Sequence, residues 1–79
     1  MGRHKKNARS VPFVPITRLI YRNRGGGEFL CRRVFPSGVD AIMQNIVSGW
    51  TFAAHGLRRF ADGTIVWDWS SGGRFEDVA

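Results

Sequence analysis

Groups that commonly carry chemistry are scarce in this chain, which holds one cysteine, two histidines and six acidic residues among 79. A lone Cys31 excludes an internal disulfide, and no CxxC or mixed Cys/His spacing offers a zinc site. Cys31 reads as a small buried hydrophobe in a reducing cytoplasm. A reactive thiol would need a basic setting, which Arg32 and Arg33 directly after it could supply. His4 and His55 have no HxH or HExxH company, so neither metal nor cofactor is expected.

Long apolar runs are missing too. Nothing approaches the roughly 20 residues that span a bilayer. The start, Met1-Gly2-Arg3-His4-Lys5-Lys6, is positive like the head of a signal peptide, but Pro12, Pro15 and Arg18 break the stretch that would have to follow. Lys6 stands where N-myristoylation needs Ser or Thr. A cytoplasmic protein without membrane attachment is expected.

The acids have local work to do. Asp40 suits a helix cap and Asp62 a turn. Asp68 sits between two tryptophans and near His55. A His55–Asp68 catalytic dyad can be drawn, but a surface hydrogen bond explains the pair more simply. No catalytic residue is assigned, and the chain is not expected to be an enzyme.

Basic and aromatic residues are plentiful: twelve Lys or Arg, six Phe, three Trp and one Tyr. Residues 1–33 hold nine Lys or Arg against one acid, a net of +8, and residues 34–79 hold three against five, a net of −2. Such asymmetry points to an anionic partner. The hydrophobic share of 43% supports one folded domain with a modest core.

Along the chain, residues 1–10 read as a flexible basic arm, 11–75 as one domain and 76–79 as a fraying tail. Pro12 and Pro15 make the lead-in irregular. A strand is expected from about Ile16 to Arg22, then a loop at Asn23–Gly27, then a strand over 28–35. Pairing across the loop sets Arg22 against Glu28, Tyr21 against Phe29, Ile20 against Leu30, Leu19 against Cys31 and Arg18 against Arg32. Tyr21, Phe29, Leu19 and Cys31 then form the better core face, and the other face is basic with an apolar stripe.

Ser37 and Asp40 fit a capping box. Val39, Ile42, Met43, Ile46 and Val47 recur at helical spacing, and Ser48-Gly49 offers a stop, so a helix is expected here. Asp62-Gly63 is a hairpin signal between strands at 50–60 and 64–70. A two-residue turn would put Trp50, Phe52, Ala54, Phe60, Ile65, Trp67 and Trp69 on one face, lay Arg58 over Trp67 and seat Gly56 beneath Trp69. The fold expected is α+β: a small ββαββ domain, a four-stranded antiparallel sheet with one helix packed on one face.

Ten of the twelve basic residues are arginine, whose planar fork grips phosphate and carboxylate. Arg18, Arg22, Arg24, Arg32 and Arg33, aided by Lys5, Lys6 and Arg9, are the expected phosphate contacts. Tyr21 and Trp67 are the stacking candidates. Arg24-Gly25-Gly26-Gly27 leads into a strand without Gly-Lys-Ser/Thr, so it is no P-loop. It is either a plain turn or a close approach to phosphate. DNA or RNA is therefore the leading partner. The alternative is a protein-interaction module that meets an acidic protein surface, as a homodimer or as an inhibitor of a larger nucleic-acid-handling machine. Small phage and mobile-element proteins often work in that way.

Overall fold

A computed structural model describes residues 9–72, so residues 1–8 of the arm expected over 1–10, and the tail over 76–79, lie outside the described residues, while Ser10 at the end of that arm belongs to a strand. Eight short strands make up the fold: β1 (Ser10–Pro12), β2 (Ile20–Arg22), β3 (Glu28–Val34), β4 (Asp40–Asn45), β5 (Thr51–His55), β6 (Arg58–Phe60), β7 (Ile65–Val66) and β8 (Trp69–Gly72). All pair antiparallel, in a five-stranded sheet ordered β2-β3-β4-β5-β8 and a three-stranded sheet ordered β1-β6-β7. No helix occurs among the described residues. The chain meanders through β2 to β5, leaves to form the β6–β7 hairpin against β1, and returns as β8 beside β5.

The expected helix, and with it the α+β class, is overturned. The segment after Ser37 becomes β4, flanked by two hairpin turns. Before it, the Gly38 N–H donates to Phe35 O (2.8 Å), with Gly38 at φ 85°. After it, the Asn45 N–H donates to Trp50 O (2.9 Å), with Gly49 at φ 80°. Ser37 does reach Asp40, its hydroxyl donating to Oδ2 at 2.5 Å, but across a turn rather than a helix start. The misleading signal was burial on two sides. Ala41, Ile42 and Met43 are all buried, with Ala41 and Met43 in the core cluster and Ile42 on the opposite face. A central strand covered on both faces loses its alternation, and short apolar runs then mimic helical spacing.

The first hairpin has the expected register: Ile20 faces Leu30, Tyr21 faces Phe29 and Arg22 faces Glu28. Its Tyr21–Phe29–Cys31 face is the buried one. Below Ile20 the pattern departs from expectation. Arg18 turns out at φ 80°, Leu19 is 47% exposed, and Arg18 does not oppose Arg32. β3 also carries a bulge between Cys31 and Arg33, so that Cys31 faces Met43 while Arg33 faces Ile42. Arg32 is the extra residue, and both arginines reach the outer face.

The second half also differs from expectation. The strand expected over 50–60 breaks at Gly56 (φ 74°), so β5 and β6 belong to different sheets. The Asp62-Gly63 turn forms with a longer loop. The Phe60 N–H meets Thr64 O at 2.9 Å, and Arg59 faces Ile65 instead of Val66. A one-residue shift exchanges faces. Arg58 therefore leaves Trp67 for Ser10, and Trp50 and Trp69 are exposed. Gly56 has the Asp68 side chain beside it, not Trp69.

Between the sheets lies a core of Tyr21, Phe29, Cys31, Ala41, Met43, Phe52, Ala54, Leu57 and Ile65, with Phe13, Val34 and Trp67 packed on its margin. Aromatic edges meet faces there: Phe29 lies 5.7 Å from Phe52 and 5.4 Å from Trp67, at 90° and 89°. Each such pair adds about 0.5–1.5 kcal/mol beyond area burial, which suits a domain this small.

Candidate functional site

Pairing of β1 with β6 builds a basic cleft. The register sets Ser10 against Phe60 and Val11 against Arg59, which brings Arg9 and Arg59 to one end of the small sheet. The Asn23–Gly27 loop reaches the same end through a bridge between Asn23 and Ile65. That loop closes on itself: the Gly27 N–H donates to Asn23 Oδ1 (2.8 Å) and the Gly26 N–H to Asn23 O (3.0 Å), with Gly26 at φ 93°. Its glycines are thus turn-formers, and they hold Arg24 outward. The Arg24 guanidinium lies 3.8 Å above the Phe60 ring.

An open cleft of about 410 Å³ results, lined by Arg9, Arg24 and Arg59 with Val11, Phe60 and Asp62. Its lining includes three arginines and one carboxylate, and the Arg59 guanidinium lies 5.6 Å from the centre of the Phe13 ring. Asp62 Oδ2 stands 3.9 Å from Arg24 Nη2, a loose and exposed pair. Asp62 is held mainly by its turn. The Thr64 hydroxyl and N–H both donate to Oδ1, and these bonds, with Arg24 a lesser influence, keep its carboxyl below the usual range. An exposed pair of this kind is worth little, so Arg24 remains available to another anion. Arg58 is committed elsewhere: its Nε and Nη2 donate to Ser10 Oγ (2.9 Å) and Ser10 O (2.7 Å), fastening β1 to β6.

The other expected phosphate contacts spread away from this cleft. Arg22 pairs with Glu28 at 3.4 Å on the outer face of the large sheet. Arg32 is on that face too, donating to Gln44 Oε1 at 2.7 Å, and Arg33 stands opposite Ile42. Arg18 is exposed in its turn, and Lys5 and Lys6 lie outside the described residues. Of the eight expected, the structure gathers Arg9 and Arg24 in the cleft and Arg22, Arg32 and Arg33 on the outer face. Arg59 was missed. Its signal was the Arg58-Arg59-Phe60 run before an Asp-Gly turn, which must send two cations to opposite sides.

Of the stacking candidates, Tyr21 is buried and Trp67 is half-buried at the margin of the core. Tyr21 is 8% exposed, its ring edge-on to Phe13 and its hydroxyl accepting the Ile16 N–H at 2.8 Å. Trp67 packs on Phe29 and Phe52. The exposed aromatic of the outer face is Trp69, stacked on His55 at 4.0 Å between centroids and 18° between planes. His55 makes no side-chain pair with Asp68. Its Nδ1 lies 3.5 Å from Asp40 Oδ1 and its Nε2 3.2 Å from Ser71 Oγ. The order Asp–His–Ser is that of a nucleophile relay, yet it lies across the outer face of the large sheet and includes none of the residues that line the cleft. Its evident work is to tie β4, β5 and β8 together. Asp40 also accepts the Ser37 hydroxyl and the Gly56 N–H (3.0 Å), which with His55 lower its pKa.

Cys31 is buried in the core. Burial pushes its thiol above the ordinary range, outweighing hydrogen bonds from the Arg33 backbone and the Thr17 side chain. Arg32 and Arg33 point away from it, so no activated thiol forms. Among the described residues, no cluster of His, Cys, Asp and Glu is placed to hold a metal ion, and no helix is long and apolar enough to cross a membrane.

The fold and site together define a small all-β, two-sheet protein bearing an arginine-lined cleft. No protein-family model, curated protein or solved structure matches the chain.

Proposed function

We propose that this chain is a non-catalytic, cytoplasmic binding module for a polyanion, and that the polyanion is nucleic acid. The observation that carries the proposal is the open cleft lined by Arg9, Arg24 and Arg59, with one carboxylate, Asp62, among its described lining residues. Arginine side chains bordering an apolar floor suit phosphates strung on a backbone, with the Arg24 guanidinium over Phe60 and that of Arg59 over Phe13. Positive charge at the cleft would also raise the rate of encounter with a polyanion. Binding of labelled DNA and RNA, followed by fluorescence anisotropy at 50 mM and 200 mM salt, tests this. Micromolar binding at low salt that weakens at least tenfold at the higher salt is expected. Absence of binding at 50 mM salt would rule it out.

A protein-interaction module is favoured by a different observation. Val14, Ile16, Leu19 and Ile20 are all exposed around Arg18, beside the short edge strand β2. An apolar edge with one cation suits an acidic protein surface. Substituting Ile16 and Ile20 by Ser would abolish such an association and leave nucleic-acid binding intact.

A further inference from the structure

Resting on nucleic-acid binding as proposed above, we infer that the outer face of the five-stranded sheet is a platform for an unpaired strand, with Trp69 as its base-stacking residue. Trp69 is 60% exposed on an edge strand. One side of its indole is covered by the His55 ring at 4.0 Å and 18°, and no other ring of the described residues stacks on it. His55 is itself held between Asp40 and Ser71, so the indole is backed by a fixed ring rather than left to swing. A flat, backed and solvent-facing indole is a surface for another flat ring.

The same face carries the cations that a strand would need. Cross-strand pairing runs His55 to Trp69 in one row and Arg33 to Ile42 to Ala53 to Ser71 in the next row on that face. Arg33 is three strand spacings from β8, about 14 Å across the sheet. Arg33 has no ion-pair partner among the described residues, Arg32 is bonded only to the neutral Gln44, and Arg22 lies on the edge beyond. A strand crossing the sheet can therefore stack one base on Trp69 and lay its phosphates toward Arg33 and Arg32. In a duplex the base faces are already stacked on one another, so the platform selects unpaired strands. Stacking reads ring faces and not the sugar, so DNA and RNA strands should serve alike.

The test compares the full chain with its Trp69→Ala and Trp69→Phe variants, each first shown to unfold at the wild-type temperature. The probes are a labelled thymidine oligomer, a uridine oligomer, a DNA duplex and inorganic polyphosphate. Trp69→Ala should bind both oligomers about tenfold more weakly, since one stacked base is worth about 1–3 kcal/mol. Trp69→Phe should recover most of the loss. Duplex and polyphosphate binding should be unchanged in both variants. Equal binding of the oligomers by wild type and Trp69→Ala, with salt-sensitive polyphosphate binding retained, overturns the platform and leaves polyanion binding standing. Loss of all four probes in the wild type overturns both.

Discussion

Arg24 lies with its guanidinium 3.8 Å over the ring of Phe60 and only loosely paired, at 3.9 Å, with Asp62. The ring supplies an apolar seat for the cation without neutralising it. The carboxylate is engaged by Thr64, and it tempers the cleft rather than filling it.

Asp62→Asn should therefore strengthen polyanion binding. Asn keeps the Oδ1 acceptor that the Thr64 N–H and hydroxyl use, so the turn survives, while the one negative charge among the described residues lining the cleft is removed. The expected gain is about threefold at low salt, fading as salt rises. Anisotropy titrations at two ionic strengths decide it. An unchanged or weaker affinity would place the bound anion elsewhere.

Gly56 is the corner at which the chain passes from the large sheet to the small one. At φ 74°, a Cβ there would meet Asp68 Oδ2 at 2.5 Å. Gly26 shares the left-handed backbone, at φ 93°, but has open space around it. Gly26→Ala should cost about 1 kcal/mol from backbone strain alone. Gly56→Ala should cost more, about 2 kcal/mol or above, in urea unfolding. Equal costs would mean that Asp68 swings away freely.

Cys31 should be inert in the folded protein. It is fully buried, and burial raises its thiol above the ordinary 9.0. Alkylation by iodoacetamide should then proceed only through unfolding, at a rate that climbs with added urea. A raised folded pKa also means that stability is full below pH 9.0 and declines above it, toward the raised folded value. Rapid labelling at neutral pH without denaturant would contradict this.

Asp40 gives the opposite pH dependence. Bonds from Ser37 and Gly56, with His55 beside it, hold its carboxyl below 3.8. A depressed folded pKa stabilises the fold above the unfolded value, and that stability is lost as pH falls below 3.8 through the folded one. Thermal unfolding of Asp40→Asn should be less sensitive to acid than that of the wild type across this window. Parallel acid profiles would assign the acid limb to other carboxylates.

The parts that could be read from sequence were those set by neighbours in the chain. The Arg22–Glu28 register followed from alternation on either side of a glycine loop, and the Asp62-Gly63 turn from its own dipeptide. The Ile20–Leu30 stripe on the outer face followed from the same alternation, whereas Arg33 reaches that face only through the bulge after Cys31, which alternation does not foresee. What could not be read depends on distant pairing. β4 resembled a helix because Ala41, Ile42 and Met43 are buried from two directions, which local periodicity does not reveal. The Gly56 corner was hidden because a glycine inside a plausible strand looks like a packing gap. The cleft needs β1 to find β6, some fifty residues away in sequence. For that reason Arg9 and Arg24 were singled out without Arg59 beside them.

The most direct test of the arginine cleft is the salt dependence of nucleic-acid affinity, measured for the wild type and for Arg9→Ala/Arg24→Ala/Arg59→Ala. Each phosphate contact contributes about 0.7 to the slope of log affinity against log salt for a single strand. If the three arginines each hold a phosphate, the slope should become shallower by about 2, with affinity falling most at low salt. An unchanged slope and unchanged affinity in the triple variant would show that the cleft is not where the polyanion binds.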